Sequence, residues 1–275
     1  MKVSDWVSIA QREAGSYRHV VCEFCGAETL AAGPVGFCSN CESVVGSRSK
    51  TVEGSNPALF SLLGSLRTAL LKNDFETAEA IYDQLLKDRS RSQLLYAKGL
   101  MEIQHSNYLV SQIGYAQGSR MERNSELREK SALLFSEGKK LIAKSRSVSE
   151  AEAKGVPSAY ASYRIFLCDL KMGDLGAASW QLKRIVELDQ EGTVGSYAKI
   201  VLNVCGDMYR EAELELEHAL RTKNPPANAF YYAAFVAFKK GDPKGAERIL
   251  GASGGLIEEQ KKANLLGTIK EFGFL

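Results

Sequence analysis

The sequence predicts a predominantly α-helical protein, a right-handed α-α superhelix of stacked helical hairpins behind a small N-terminal β module. Three observations carry this reading. Ala178, Ala212 and Ala246 recur at 34-residue intervals, with apolar residues at helical spacing ahead of each. The pairs Gly173-Asp174, Gly206-Asp207 and Gly241-Asp242 keep about the same interval, a glycine to end one helix and an aspartate to cap the next. Four of the six cysteines fall before residue 42, in two Cys-x2-Cys pairs. The background is that of an ordinary globular chain: 275 residues, 45% hydrophobic, 25% charged, formal net charge +2. So small a net charge excludes a strong global field for nucleic acid or membrane. No apolar run approaches the ~18 residues that span a bilayer. The start, Met1-Lys2-Val3-Ser4-Asp5-Trp6, lacks the apolar core of a secretion signal. A cytoplasmic chain without a membrane partner is expected.

Residues 1–46 are expected to form an N-terminal segment and the β module. Cys22-Glu23-Phe24-Cys25 and Cys38-Ser39-Asn40-Cys41 are separated by twelve residues. Two intervening residues let one turn of backbone aim both sulfurs at one ion, and two such turns supply a closed tetrahedron of thiolates. Gly26 suits the sharp turn after the second cysteine, and Gly33-Pro34 with Gly36 reads as a turn between two short strands. One structural Zn²⁺ on Cys22, Cys25, Cys38 and Cys41 is therefore expected, with His19 the nearest substitute ligand and no open position for Lewis-acid chemistry. Disulfides or a redox dithiol are weaker alternatives, because no export signal and no βαβ pattern accompany the pairs. Cys168 and Cys205 lie in apolar helical stretches and are expected to be buried, inert thiols. With Gly26, the paired motifs resemble a zinc ribbon over about residues 18–46. Ribbons serve nucleic-acid-binding and protein-binding proteins alike, so the resemblance leaves both open. Residues 1–50 carry five basic and five acidic side chains, whereas a phosphate-gripping ribbon is normally basic.

The Ser- and Gly-rich stretch from Glu42 to Asn56 reads as a hinge, with residues 47–56 as linker and 57–275 as the helical repeat domain. Fifteen residues before each repeating alanine, and before Ala78, stand Tyr163, Tyr197, Tyr231 and Leu63. Apolar and aromatic residues follow at steps of three, one and three, tracing one helix face. Units are placed at 57–88, 157–190, 191–224 and 225–255. Between the first two, segments 92–118 and 122–144 are expected to be helical and could be two degenerate units. Residues 145–155 read as a polar connection, and 256–275 as a capping helix. A 34-residue helix–turn–helix with a small residue early in its second helix resembles the tetratricopeptide repeat. The clearest instance is Gly206-Asp207-Met208-Tyr209-Arg210-Glu211-Ala212, continuing through Leu216 and Ala219 to Pro225-Pro226. The resemblance implies a stack whose first helices line a concave wall.

No catalytic set is legible. His19, His105 and His218 are scattered, no phosphate-cradling glycine motif occurs, and the alternating acids Glu211, Glu213, Glu215 and Glu217 point different ways on a helix. The expected function is that of a non-enzymatic adaptor or scaffold, gripping a protein partner through Tyr163, Tyr197 and Tyr231, with the ribbon as a second contact. The alternative is an RNA- or ribonucleoprotein-associated factor. It would use the ribbon and segment 86–150, where twelve bases face seven acids and Arg89, Arg91, Lys139 and Lys140 are prominent. Self-association through an exposed end of the stack is a third expectation.

Overall fold

A computed structural model describes residues 2–13, 18–31, 35–38, 40–46, 57–88, 92–113, 119–155, 158–221, 227–257 and 259–272. The chain opens with helix α1 (Val3–Glu13), followed by strands β1 (Arg18–Val21), β2 (Glu28–Ala31), β3 (Val35–Phe37) and β4 (Val44–Gly46). β1 pairs antiparallel with β2 and β3 with β4, giving two small hairpins. The linker 47–56 lies outside the described residues. Helices then follow in hairpins: α2 (Pro57–Leu71) with α3 (Phe75–Asp88), and α4 (Ser92–Ser111) with α5 (Ser119–Gly155). Next come α6 (Ala159–Met172) with α7 (Leu175–Leu188), α8 (Thr193–Cys205) with α9 (Tyr209–Arg221), and α10 (Ala227–Lys239) with α11 (Pro243–Ala252). Helix α12 (Glu259–Phe272) closes the stack, turning Leu265 and Ile269 inward. The result is a tetratricopeptide-like superhelical stack with a β module at its N-terminus.

The repeat signals act as their chemistry requires. Ala78, Ala178, Ala212 and Ala246 are all buried where the second helix of a hairpin crosses the first. Gly173 and Gly241 adopt φ of 85°, and the Asp174 and Asp242 carboxylates accept the amides of Ala177 and Gly245. At the α8–α9 turn the positions shift by one. Gly206 keeps an ordinary φ and Asp207 takes the left-handed conformation, at 56°.

The middle region departs from the sequence reading. Segments 92–118 and 122–144 do not make two repeats; their helices pack on each other as one enlarged hairpin, and the expected connection 145–155 continues α5. The cause is a seam of small residues seven apart. Ser92, Gly99 and Ser106 on α4 lie opposite Ser145, Gly138 and Ser131 on α5. Ser145 donates to the Ser92 carbonyl at 2.7 Å and the Ser106 and Ser131 hydroxyls meet at 2.9 Å. A methyl group at Gly99 would stand 2.8 Å from the Gly138 carbonyl oxygen. Ser145, where the sequence reads as a break, is buried and bonded to α4, so the helix runs through it.

Helix α1 was not legible as an element, yet it completes the far end of the stack. Trp6 is buried and meets the Phe230 ring edge-on at 5.1 Å, in a core shared with α9, α10, α11 and α12. An indole so placed contributes about 3–5 kcal/mol relative to alanine.

The α4–α5 contact can be tested by stability. Gly99→Ala should lower stability by about 2–3 kcal/mol in urea unfolding. Gly64→Ala, with nothing within 4 Å of the new methyl group, should be neutral or stabilising by about 0.5 kcal/mol. Equal effects would refute the seam. On the same helix as Gly99, Glu102 is buried, and that burial, assisted by Glu79, Asp83 and Glu137 against Lys98, raises its carboxyl to about 7. Between its ordinary range and 7 the unfolded chain ionises this group and the folded chain does not, so stability falls as pH rises through that window. Glu102→Gln should therefore gain on the wild type from pH 5 to pH 8, by on the order of 1–2 kcal/mol in calorimetry. A difference independent of pH would contradict it.

Candidate metal centre

Each cysteine pair is set by the same backbone knuckle. The Gly26 amide donates to the Cys22 carbonyl at 2.9 Å, and the Cys22 amide to the Ala27 carbonyl at 2.9 Å. In the second knuckle the Glu42 amide donates to the Cys38 carbonyl at 3.0 Å, and the Cys38 amide to the Ser43 carbonyl at 2.8 Å. The residue after each second cysteine is left-handed: Gly26 at φ 72° and Glu42 at φ 58°. Glycine takes this conformation freely; for glutamate it costs about 1–2 kcal/mol.

The hairpins bring Cys22, Cys25, Cys38 and Cys41 together, all four buried, with their sulfurs within 4.8 Å of one another. Cys22 and Cys41 sulfurs are 3.7 Å apart, and those of Cys25 and Cys38 are 3.6 Å apart. Thiolates bound about 2.3 Å from a tetrahedral ion stand about 3.8 Å from one another, whereas a disulfide needs about 2.05 Å. The donor set therefore fits a chelated metal ion and not two disulfides. Hydrogen bonds from Cys22, then Cys38 and Cys41, lower the Cys25 thiol. Cys22 and Cys41 are raised by hydrogen bonding with their cysteine neighbours and then by burial. Four buried thiolates without a cation would repel one another, so the site is built for a positive charge at its centre. His19 lies exposed on β1, outside this group.

The ribbon does not stand apart from the helices; it lies on the face that the first helices share. The cysteines pack with Leu63 and Leu66 of α2 and Tyr82 of α3. Gly26 approaches α2 so closely that a methyl group there would sit 2.5 Å from the Leu63 carbonyl oxygen. Glu28 pairs with Arg67 of α2. Phe37 enters the core of the middle hairpins, its ring 5.3 Å from Tyr163 of α6 and 4.6 Å from Tyr197 of α8. Tyr163 donates to the Glu42 carbonyl at 3.2 Å, and the Glu42 carboxylate reaches Lys261 of α12 at 2.6 Å.

This arrangement decides where the expected partner-contacting tyrosines stand. Tyr163 and Tyr197 are buried against the chain's own ribbon, so the surface open to an external protein excludes them. Tyr231 remains half-exposed beside a cavity of about 220 Å³, lined by Glu42, Tyr197, Asn228, Tyr232, Ile257 and Lys261. The ladder itself is longer than the 34-residue spacing revealed. Tyr96 of α4 joins the core around Phe37, and Tyr232, not Tyr231, meets Tyr197, with ring centroids 5.8 Å apart and hydroxyls 3.4 Å apart. Tyr96 stands 67 residues before Tyr163, one short of two periods, which is the signal that marks it.

Of the basic residues, Arg89 and Arg91 lie outside the described residues. Lys139 lies over the Phe135 ring and donates to the Lys171 carbonyl, while Lys140 pairs with Glu137 at 2.6 Å. Arg146 pairs with Asp169 and Glu150, and Lys98 with Asp83. These cations are engaged within the fold. Cys168 is buried, its thiol raised by burial to about 11. Cys205 is exposed, contrary to expectation, because the last turn of α8 carries it past the apolar face. Among the described residues, the four cysteines are the one His/Cys/Asp/Glu group placed to hold a metal ion, and His105 is stacked on Phe75. No helix of the described residues is long and apolar enough to cross a membrane.

Compared with protein-family models, characterised proteins and solved structures, the chain matches none.

Gly26→Ala tests the fit between knuckle and helix, since it strains φ and collides with the Leu63 carbonyl. The metal-loaded variant should lose its ion to a chromogenic chelator at least about tenfold faster than wild type. An unchanged rate would mean that the ribbon is not seated on α2.

Proposed function

We propose that the protein is a non-enzymatic adaptor, a helical scaffold that grips another polypeptide, with a structural zinc ion on Cys22, Cys25, Cys38 and Cys41 fixing its N-terminal module. Residues 57–275 are the scaffold in this reading, and residues 1–46 the module seated on it. One observation carries the proposal: the face shared by the first helices already holds a polypeptide turn, through Tyr163, Tyr197 and Lys261. Such a face recognises a chain by aromatic contact, a phenol-to-carbonyl hydrogen bond and one charge, which is how grooves bind peptides. The zinc supplies charge neutralisation and crosslinking of two hairpins too small to fold on their own apolar area. The half-exposed edge of Tyr231, with Asn228 and Lys261 around the neighbouring cavity, is the part of this face left open to a partner.

The RNA reading has less support, because Lys98, Lys139, Lys140 and Arg146 are held by partners within the fold. Affinity capture from the source cell, at low and moderate salt and with nuclease, separates the two. Salt-tolerant, nuclease-resistant protein recovery that is lost in Tyr231→Ala is the expected outcome. Recovery of RNA that falls steeply with salt would favour the rival. Metal analysis of the purified chain should find about one zinc per chain, and little in Cys22→Ser with most of the helical circular dichroism retained.

A further inference from the structure

The N-terminal segment contacts the helical stack as a ligand would. Its ring, Phe37, lies between tyrosines of two successive repeats, and its backbone carbonyl at Glu42 is taken by Tyr163. Its carboxylate, on the same Glu42, is taken by Lys261 of the closing helix, 219 residues away. The residue that makes the last two contacts is also the non-glycine member of the knuckle pair, held at φ 58° directly after Cys41. A glutamate stands where its counterpart is Gly26, and an unfavourable backbone persists only when its surroundings over-determine it. Here those surroundings are the knuckle on one side and Tyr163 and Lys261 on the other. The geometry of Glu42 therefore links the cysteine cluster to occupation of the groove.

We infer that residues 18–46 are a releasable plug of the groove, seated while the four cysteines hold their metal. When the plug is released, the exposed face takes a polypeptide turn presenting an aromatic ring and, five residues on, a carboxylate. The inference rests on the adaptor reading for its occupant and specifies that occupant's chemistry. Phe37 and Glu42 supply the pattern, and Tyr163, Tyr197, Tyr232 and Lys261 supply the receptor. Loss of the ion removes the crosslink that ties the Cys22–Cys25 knuckle to the Cys38–Cys41 knuckle, so Phe37 and Glu42 lose their fixed spacing. The helical hairpins keep their own caps and helix–helix contacts, and what they lose is the cover over Leu63, Leu66, Tyr163 and Tyr197.

Hydroxyl-radical footprinting of the full chain, read by mass spectrometry, tests release. Metal-loaded protein should protect Tyr163 and Tyr197. Chelation under reducing conditions should raise their labelling about tenfold or more, with Tyr231 changing little and helical circular dichroism preserved. Unchanged labelling of Tyr163 and Tyr197 would overturn the inference, as would collapse of the helical signal, because the ribbon would then be an inseparable part of the core. A second route leaves the cysteines alone: Phe37→Ala should keep about one metal per chain yet label at Tyr163 and Tyr197 as the chelated protein does. The occupant is tested with a fluorescent peptide of residues 35–46 carrying alanine at both cysteines. It should bind Phe37→Ala chain at least about tenfold more tightly than loaded wild type, and lose binding when its own phenylalanine or glutamate is replaced. Equal affinity for both chains, no binding to either, or indifference to the ring and carboxylate would each refute the occupant. If labelling responds and the peptide binds but no cellular protein is captured, the plug stands and the adaptor reading falls. If a cellular protein is captured equally well with and without chelation, the adaptor reading stands and the plug falls.

Discussion

The structure depends on one constraint: a helical hairpin is too thin to bury its own apolar faces, so each must be covered by something else. Neighbouring hairpins cover the flanks, through Ala78, Ala178, Ala212 and Ala246, where a larger side chain would hold the helices apart. The face that first helices share has no such neighbour. In many stacks it is left to solvent or a partner; here the chain's own β module covers it, while α1 caps the far end. They enter all three hydrophobic cores, with Trp6 at the C-terminal end, Phe37 in the middle and the cysteines on the first hairpin.

What was legible in the sequence was what is local in the chain. A Cys-x2-Cys spacing, a Gly-Asp turn or a 34-residue alanine interval depends on neighbours along the backbone, and these gave the ribbon and four of the hairpins. The α4–α5 hairpin escaped because its pattern is of another kind. Its serines and glycines every seven residues resemble loop composition until the partner helix is in view, and then they are the only side chains small enough for backbones in contact. The tyrosine ladder was half legible. Periodicity located Tyr163 and Tyr197, but a shift of one residue along α10 turns Tyr232 toward them in place of Tyr231. That the ladder's ligand is Phe37 depends on contacts across more than 120 positions, which no window of sequence displays.

Charge shows the same division. The excess of bases between residues 86 and 150 is a true property of the sequence, but its meaning is set by pairing. Lys98 reaches back to Asp83, and Arg146 reaches across to Asp169 on the next hairpin. Exposed members of such pairs contribute little to stability; Asp169 is buried, and Arg146 is the counter-charge that makes its burial tolerable. These two pairs tie helix to helix.

The union of Glu42 with Lys261 and of Trp6 with Phe230 also bears on how the chain is made. Glu42 is translated 219 residues before Lys261, whereas α2 and α3, on which the cysteines pack, follow it directly. At about 5–20 residues per second the interval is on the order of 10–45 s. Throughout it, α2 and α3 are already present to receive the cysteine knuckles. The contacts of Glu42 with Lys261 and of Trp6 with Phe230 thus close on a stack whose first hairpin already lies against the module.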